Sequence, residues 1–159
     1  MHIDSAALCR MLQMEKEVLA AFTTLLRDEQ QTLVRGELEP LGSYAEAKSK
    51  CLFELTRLGE QRHRLLRERG LQCDDAGMQR LLREHVDHPD LPRAAWQQII
   101  DLAKSAKHLN EINGTLIGTR LNSTQRALSV IFSAARLPGA YTADGSTVCY
   151  RTAHQLAVA

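Results

Sequence analysis

The strongest constraint on this chain is the stretch between Pro92 and Pro138, which contains no other proline. Along it apolar side chains recur every three or four positions: Trp96, Ile99, Ile100, Ala103, Ala106, Leu109, Ile112, Leu116, Ile117, Leu121, Leu128, Ile131 and Ala135. That period marks one face of an α-helix. About 45 helical residues make a rod of ~67 Å at 1.5 Å per residue. A striped rod of that length buries its apolar face only against other long helices.

Two such partners precede it. From Asp4 or Ser5, either a good N-cap, to about Arg35, a stripe runs through Leu8, Met11, Leu12, Val18, Leu19, Phe22, Leu25, Leu26 and Leu33. Gly36 interrupts it, and Pro40 suits the first turn of a second helix. That helix carries Leu38, Leu41, Tyr44, Leu52, Leu55, Leu58, Leu65 and Leu66, with Gly70 placed as a C′ glycine behind Arg67 and Arg69. Asp74 and Asp75 can cap a short third helix bearing Met78, Leu81, Leu82 and Val86, which stops near His88-Pro89. Residues 140–159 are rich in Ala, Thr and Ser and show no period, which reads as a flexible tail.

Composition agrees. Aromatic residues are 4% of the chain, against 24 Leu and 19 Ala, which favours helices over a sandwich or barrel. The expected fold is all-α: an elongated, antiparallel, coiled-coil-like bundle of three long helices plus one short one over residues 1–137, with a flexible C-terminal tail over 138–159. The last helix should outrun its partners by ~17–19 Å. With the short helix capping the bottom, residues from about Thr124 to Leu137 are then left without intramolecular cover, and an uncovered stripe of that kind is normally a partner site.

Several function classes find no support. Net charge is +1, so there is no electrostatic footprint for nucleic acid. No apolar run approaches the ~20 residues that span a bilayer. The start, Met-His-Ile-Asp-Ser, lacks the regions of a signal peptide, so the expected location is the cytoplasm. Cys9, Cys51, Cys73 and Cys149 form no Cys-x-x-Cys pair and read as reduced, small apolar residues. Glu60-x-x-His63 resembles half of a di-iron site, but a second such motif is missing from the sequence. His85 and His88, with Asp87 and Asp90, sit at a helix end where polar residues collect anyway. Arg57, Arg62, Arg64, Arg67 and Arg69 are interleaved with Glu60 and Glu68 and read as a solvated helix face. No Gly-rich phosphate loop or nucleophile elbow is present. The expectation is a protein without catalysis, metal or cofactor.

One segment breaks the local rules. Asn110, Asn113 and Gly114 lie inside the longest helix, although Asn is a poor helix former and Gly costs ~1 kcal/mol against Ala. Stepping from Ile99 through Ala103 and Ala106 reaches Asn110, Asn113 and Ile117, so the amides are expected on the packing seam, where a buried Asn can fix register. Gly114 is expected to allow close backbone approach. The alternative is an Asn-Gly turn that splits the helix in two.

Taken together, these segments resemble the FlgN-type flagellar export chaperones. The resemblance rests on Leu33-Val34-Arg35-Gly36-Glu37-Leu38-Glu39-Pro40-Leu41 followed by Lys48, Leu52, Leu55, Arg62, Leu65, Leu66 and Gly70, on Asn110-x-x-Asn113-Gly114-x-Leu116-Ile117, and on Tyr141-Thr142-Ala143-Asp144-Gly145. It covers roughly residues 5–146, with Thr142 standing where the family commonly has glycine. It implies a cytoplasmic chaperone that holds the C-terminal helical segments of hook-associated (FlgK/FlgL-like) junction proteins and delivers them to the flagellar type III export gate. Client anchors are then expected at Leu116, Ile117, Leu121, Leu128 and Ile131. The matching tyrosine, Tyr141, is expected to dock on the cytoplasmic domain of the gate. No nucleic acid and no stable membrane insertion are implied, and the chain is expected as a monomer or weak homodimer. The competing readings are a structural coiled-coil or oligomerisation module without a client, and a helical-bundle metalloenzyme.

Overall fold

The structure is a computed structural model that describes residues 3–134, 140–141 and 147–148, with side chains through Ile131. Four helices make it up: α1 (Ser5–Arg35), α2 (Leu41–Arg67), α3 (Asp75–Glu84) and α4 (Asp90–Ala134). Their ends follow local chemistry. The Asp4 carboxylate accepts the Ala6 N–H at 3.0 Å and starts α1. Gly36, left-handed at φ 81°, closes it, and its N–H donates to the Leu33 carbonyl. Gly70 at φ 66° ends the turn after α2, where the Leu71 N–H returns to the Leu66 carbonyl at 3.0 Å. The Asp74 side chain caps α3 by accepting the Gly77 N–H at 2.8 Å. α3 ends sooner than its sequence suggests, at Glu84 with His85 as C-cap. α4 starts two residues ahead of Pro92, which occupies the first turn where no intrahelical donor is required.

Near the C-terminus β1 (Ala140–Tyr141) pairs antiparallel with β2 (Thr147–Val148), Tyr141 opposite Thr147. Strands of two residues are too short to leave an alternating pattern in the sequence. The flexibility expected of residues 138–159 otherwise falls outside the described residues. The chain forms two compact units, Met1–Gly114 and Thr115–Ala159.

In the first unit α1 and α4 run parallel and α2 runs against them. At one end the Ile3 N–H bonds the His85 carbonyl at 2.8 Å and the Ser5 hydroxyl donates to the His88 carbonyl at 2.7 Å. The core joins Leu8, Leu12, Leu19, Phe22 and Leu26 of α1 to Leu66 of α2, Met78, Leu81 and Leu82 of α3, and Trp96, Ile99 and Ala106 of α4. The stripe expected on α2 is only partly used. Leu58 and Leu66 are buried, whereas Leu52 is 50% exposed and Leu38 stays in the preceding turn, 57% exposed.

Two charged clusters cross this core. Arg62 of α2 forks onto Glu15 of α1, with Nε and Nη2 at 3.0 and 3.1 Å from the two carboxylate oxygens. The same guanidinium stacks on the Trp96 ring at 4.8 Å, and the indole N–H donates to Asp75 at 2.6 Å. Four turns on, Lys48 Nζ lies 2.6 Å from Glu29, and Asn113 Nδ2 donates to the other Glu29 oxygen at 2.9 Å and to the Leu26 carbonyl at 2.8 Å. Glu15 to Glu29 and Arg62 to Lys48 are equal steps taken in opposite chain directions. An antiparallel pair in a single register requires that equality.

Candidate functional site

α4 has 45 residues against 31 in α1 and 27 in α2. Twenty-one residues of α4 follow Asn113, whereas six of α1 follow its partner Glu29. The positions expected to bind a partner lie in that stretch. Leu116 and Ile117 are half-buried, while Leu121, Leu128 and Ile131 are 58%, 46% and 59% exposed. Val130 is also exposed, at 64%, but at 3.6 residues per turn it faces the opposite side of α4 from Leu121. Sequence reading missed it because it sits one position off the stripe. Leu121, Leu128 and Ile131 form an apolar strip along one side of the helix, of a kind that marks contact with another molecule.

The asparagine pair divides. Asn113 is 1% exposed and bound as above, and its Oδ1 is buried without a hydrogen-bond partner among the described residues. An orphaned acceptor of this type costs ~1–3 kcal/mol. Asn110, expected beside it on the seam, is exposed instead and edges a cleft. Gly114 does not admit a neighbouring backbone. It is exposed, and an added Cβ would meet nothing within 4 Å. The Asn-Gly turn is absent as well, since α4 continues unbroken through both residues. Tyr141 lies in β1, and its side chain falls outside the described residues, as do Thr142 and Asp144-Gly145.

The cleft is the feature that sequence reading did not anticipate. It measures about 560 Å³ and lies in the first unit among α1, α2 and α4. It is lined by Leu19 and Phe22 of α1, by Ala45, Ser49, Leu52 and Leu55 of α2, and by Ala103 and Ala106 of α4.

Elsewhere polar residues do structural work. Glu60 faces His63 at 3.8 Å and Arg67 at 3.4 Å on the surface of α2. The hydrogen bond from Arg80, followed by the charges of Arg80, Arg83 and His85, holds the Glu84 carboxyl below the usual carboxylate range on an exposed helix end. Among the described residues no group of three or more His, Cys, Asp or Glu could hold a metal ion. No described helix is long and apolar enough to cross a membrane.

Comparison with known proteins converges. The family model described as FlgN protein matches residues 1–148. The flagella synthesis protein FlgN of Proteus mirabilis is 28% identical over 136 residues, covering 84% of this chain and 85% of that protein. A crystal structure from Pseudomonas aeruginosa, of a protein described as a flagella synthesis protein FlgN, superposes with a TM-score of 0.66 at 27% identity. The match covers 72% of this chain and 89% of that one.

Proposed function

The chain belongs to the FlgN family, and on that premise we propose that it is a flagellar type III export chaperone. In this reading it binds the C-terminal helical segments of hook-associated proteins in the cytoplasm and delivers them to the export gate. The observation that carries the reading is the exposed aliphatic strip on α4: Leu121, Leu128 and Ile131.

The physics suits a carrier. A junction protein before assembly exposes helical stripes that aggregate unless covered. An amphipathic helix laid on α4 covers its own stripe and that of α4 together. Full burial of an aliphatic side chain stabilises by ~1.5–3 kcal/mol. The three on α4 are already partly covered, so they contribute about half of that each. With a similar share from the client, the gross gain is ~4.5–9 kcal/mol, against an association cost of ~4–15 kcal/mol. The balance favours a reversible complex, which a carrier needs for release. No nucleotide is required when mass action alone drives loading.

Tyr141 is the proposed docking residue for the gate. One ring on a short β-element buries much area with few rotors to fix. The test is affinity capture with the tagged full chain, offered purified C-terminal segments of hook-associated proteins and, separately, the cytoplasmic domain of the gate. Saturable 1:1 capture of the former supports the reading. A chain that ignores them and forms only a tight dimer with itself would be a structural coiled-coil module.

A further inference from the structure

The chain holds three asparagines, and only Asn113 precedes a glycine. That pair carries a chemistry of its own. The backbone nitrogen that follows an asparagine can attack the side-chain Cγ, and glycine hinders that nitrogen least because it has no Cβ. A new N–Cγ bond closes a five-membered succinimide, and the Cγ–Nδ2 bond breaks. Nδ2 leaves as ammonia, taking up the proton of the Gly114 N–H. Water then opens the ring at either carbonyl and leaves an aspartyl or an isoaspartyl link.

The closed fold holds this reaction off. α4 runs unbroken through Gly114, and a helical ψ near about −42° keeps the Gly114 nitrogen away from the Asn113 Cγ. The side chain is held as well, since Nδ2 donates to the Leu26 carbonyl at 2.8 Å and to Glu29 at 2.9 Å. The hold is local, however. Asn113 is the last buried side chain of α4 among the described residues, and the first compact unit ends at Gly114. Segments with so few buried contacts open at much less than the cost of global unfolding. Release also gives the unpaired Oδ1 a partner in water, which offsets part of the two lost bonds. Gly114 packs against nothing and lowers helix propensity, so it weakens the helix at the very bond it activates.

We propose that Asn113-Gly114 is a deamidation site whose rate is set by release of Asn113 from Glu29 and Leu26. In the old seat the product carboxylate meets buried Glu29, so a reacted chain reseats poorly and loses the tie between α4 and α1 at this level. This holds whichever partner α4 carries.

The test is peptide mapping by mass spectrometry of the full chain kept in neutral buffer and, in parallel, in urea. Conversion at residue 113 should be at least about tenfold slower in buffer. Gly114→Ala should slow it in urea by about tenfold, or ~1.4 kcal/mol of added barrier. Glu29→Ala should speed it in buffer by about tenfold and leave the urea rate unchanged. Glu29→Gln keeps an acceptor oxygen, should speed it by about threefold, and serves if the alanine variant does not fold. Gly77→Ala destabilises α3 without touching this hold, and should leave the buffer rate within about twofold. Equal rates in buffer and urea, no conversion in urea, or a urea rate indifferent to Gly114→Ala overturns the proposal. So do Glu29 variants that react like wild type, or acceleration by Gly77→Ala in step with its loss of stability, which assigns the gate to global unfolding.

Discussion

Asn113 shows how one residue can hold helices together while leaving a weakness behind. Its amide donates to Glu29 and to Leu26, and its oxygen goes unpaired. Asn113→Leu should therefore fold normally, with stability within about 1.5 kcal/mol of wild type by thermal melting, because an orphaned acceptor leaves with the donor. Asn113→Asp should cost about 3–5 kcal/mol, since a second carboxylate then faces buried Glu29 without a donor between them. Such a pair shares a proton in the folded state, so that state binds more protons than the unfolded one. Stability of this variant should fall as pH rises through the carboxylate range and recover as pH is lowered. Glycines give a matched contrast. A Cβ at Gly77 collides with the Gln72 carbonyl, so Gly77→Ala should destabilise by about 1–3 kcal/mol in urea melts. Gly114 faces open space, so Gly114→Ala should stabilise by up to ~1 kcal/mol.

Among the elements, helix limits were legible because they are written in local chemistry: Asp4, Gly36, Gly70 and Asp74 each act within a few residues of themselves. What α2 buries was not. Leu52 fits the stripe as well as Leu58 does, yet only Leu58 is covered, because burial depends on what stands opposite. The two crossing charge clusters were likewise invisible, since Glu15 and Glu29 look like any polar residues between leucines. Their pairing should matter. Arg62→Ala strands Glu15, which is 6% exposed, and should cost about 3–5 kcal/mol. Arg62→Met combined with Glu15→Leu should recover most of it in the same melts, as replacement of both partners by apolar residues often does.

At the level of the whole molecule, the long proline-free stripe dictated an all-α architecture, and motif order pointed to the FlgN family that the comparisons establish. The exposure of Leu128 and Ile131 was legible from helix length, since both lie in the overhang expected from about Thr124, whereas that of Leu121 and Val130 was not. The cleft was not legible either, because which side chains line it depends on how α1, α2 and α4 pack. The most direct test is isothermal titration of the C-terminal segment of a hook-associated protein into the full chain and into its Leu128→Asp/Ile131→Asp variant. Each lost anchor removes about 1–1.5 kcal/mol on the chaperone side and a similar share from the client, so affinity should drop by about tenfold or more. Circular dichroism and melting temperature should stay at the wild-type values. Unchanged affinity in a folded double variant would contradict the assignment and place the client elsewhere on the molecule.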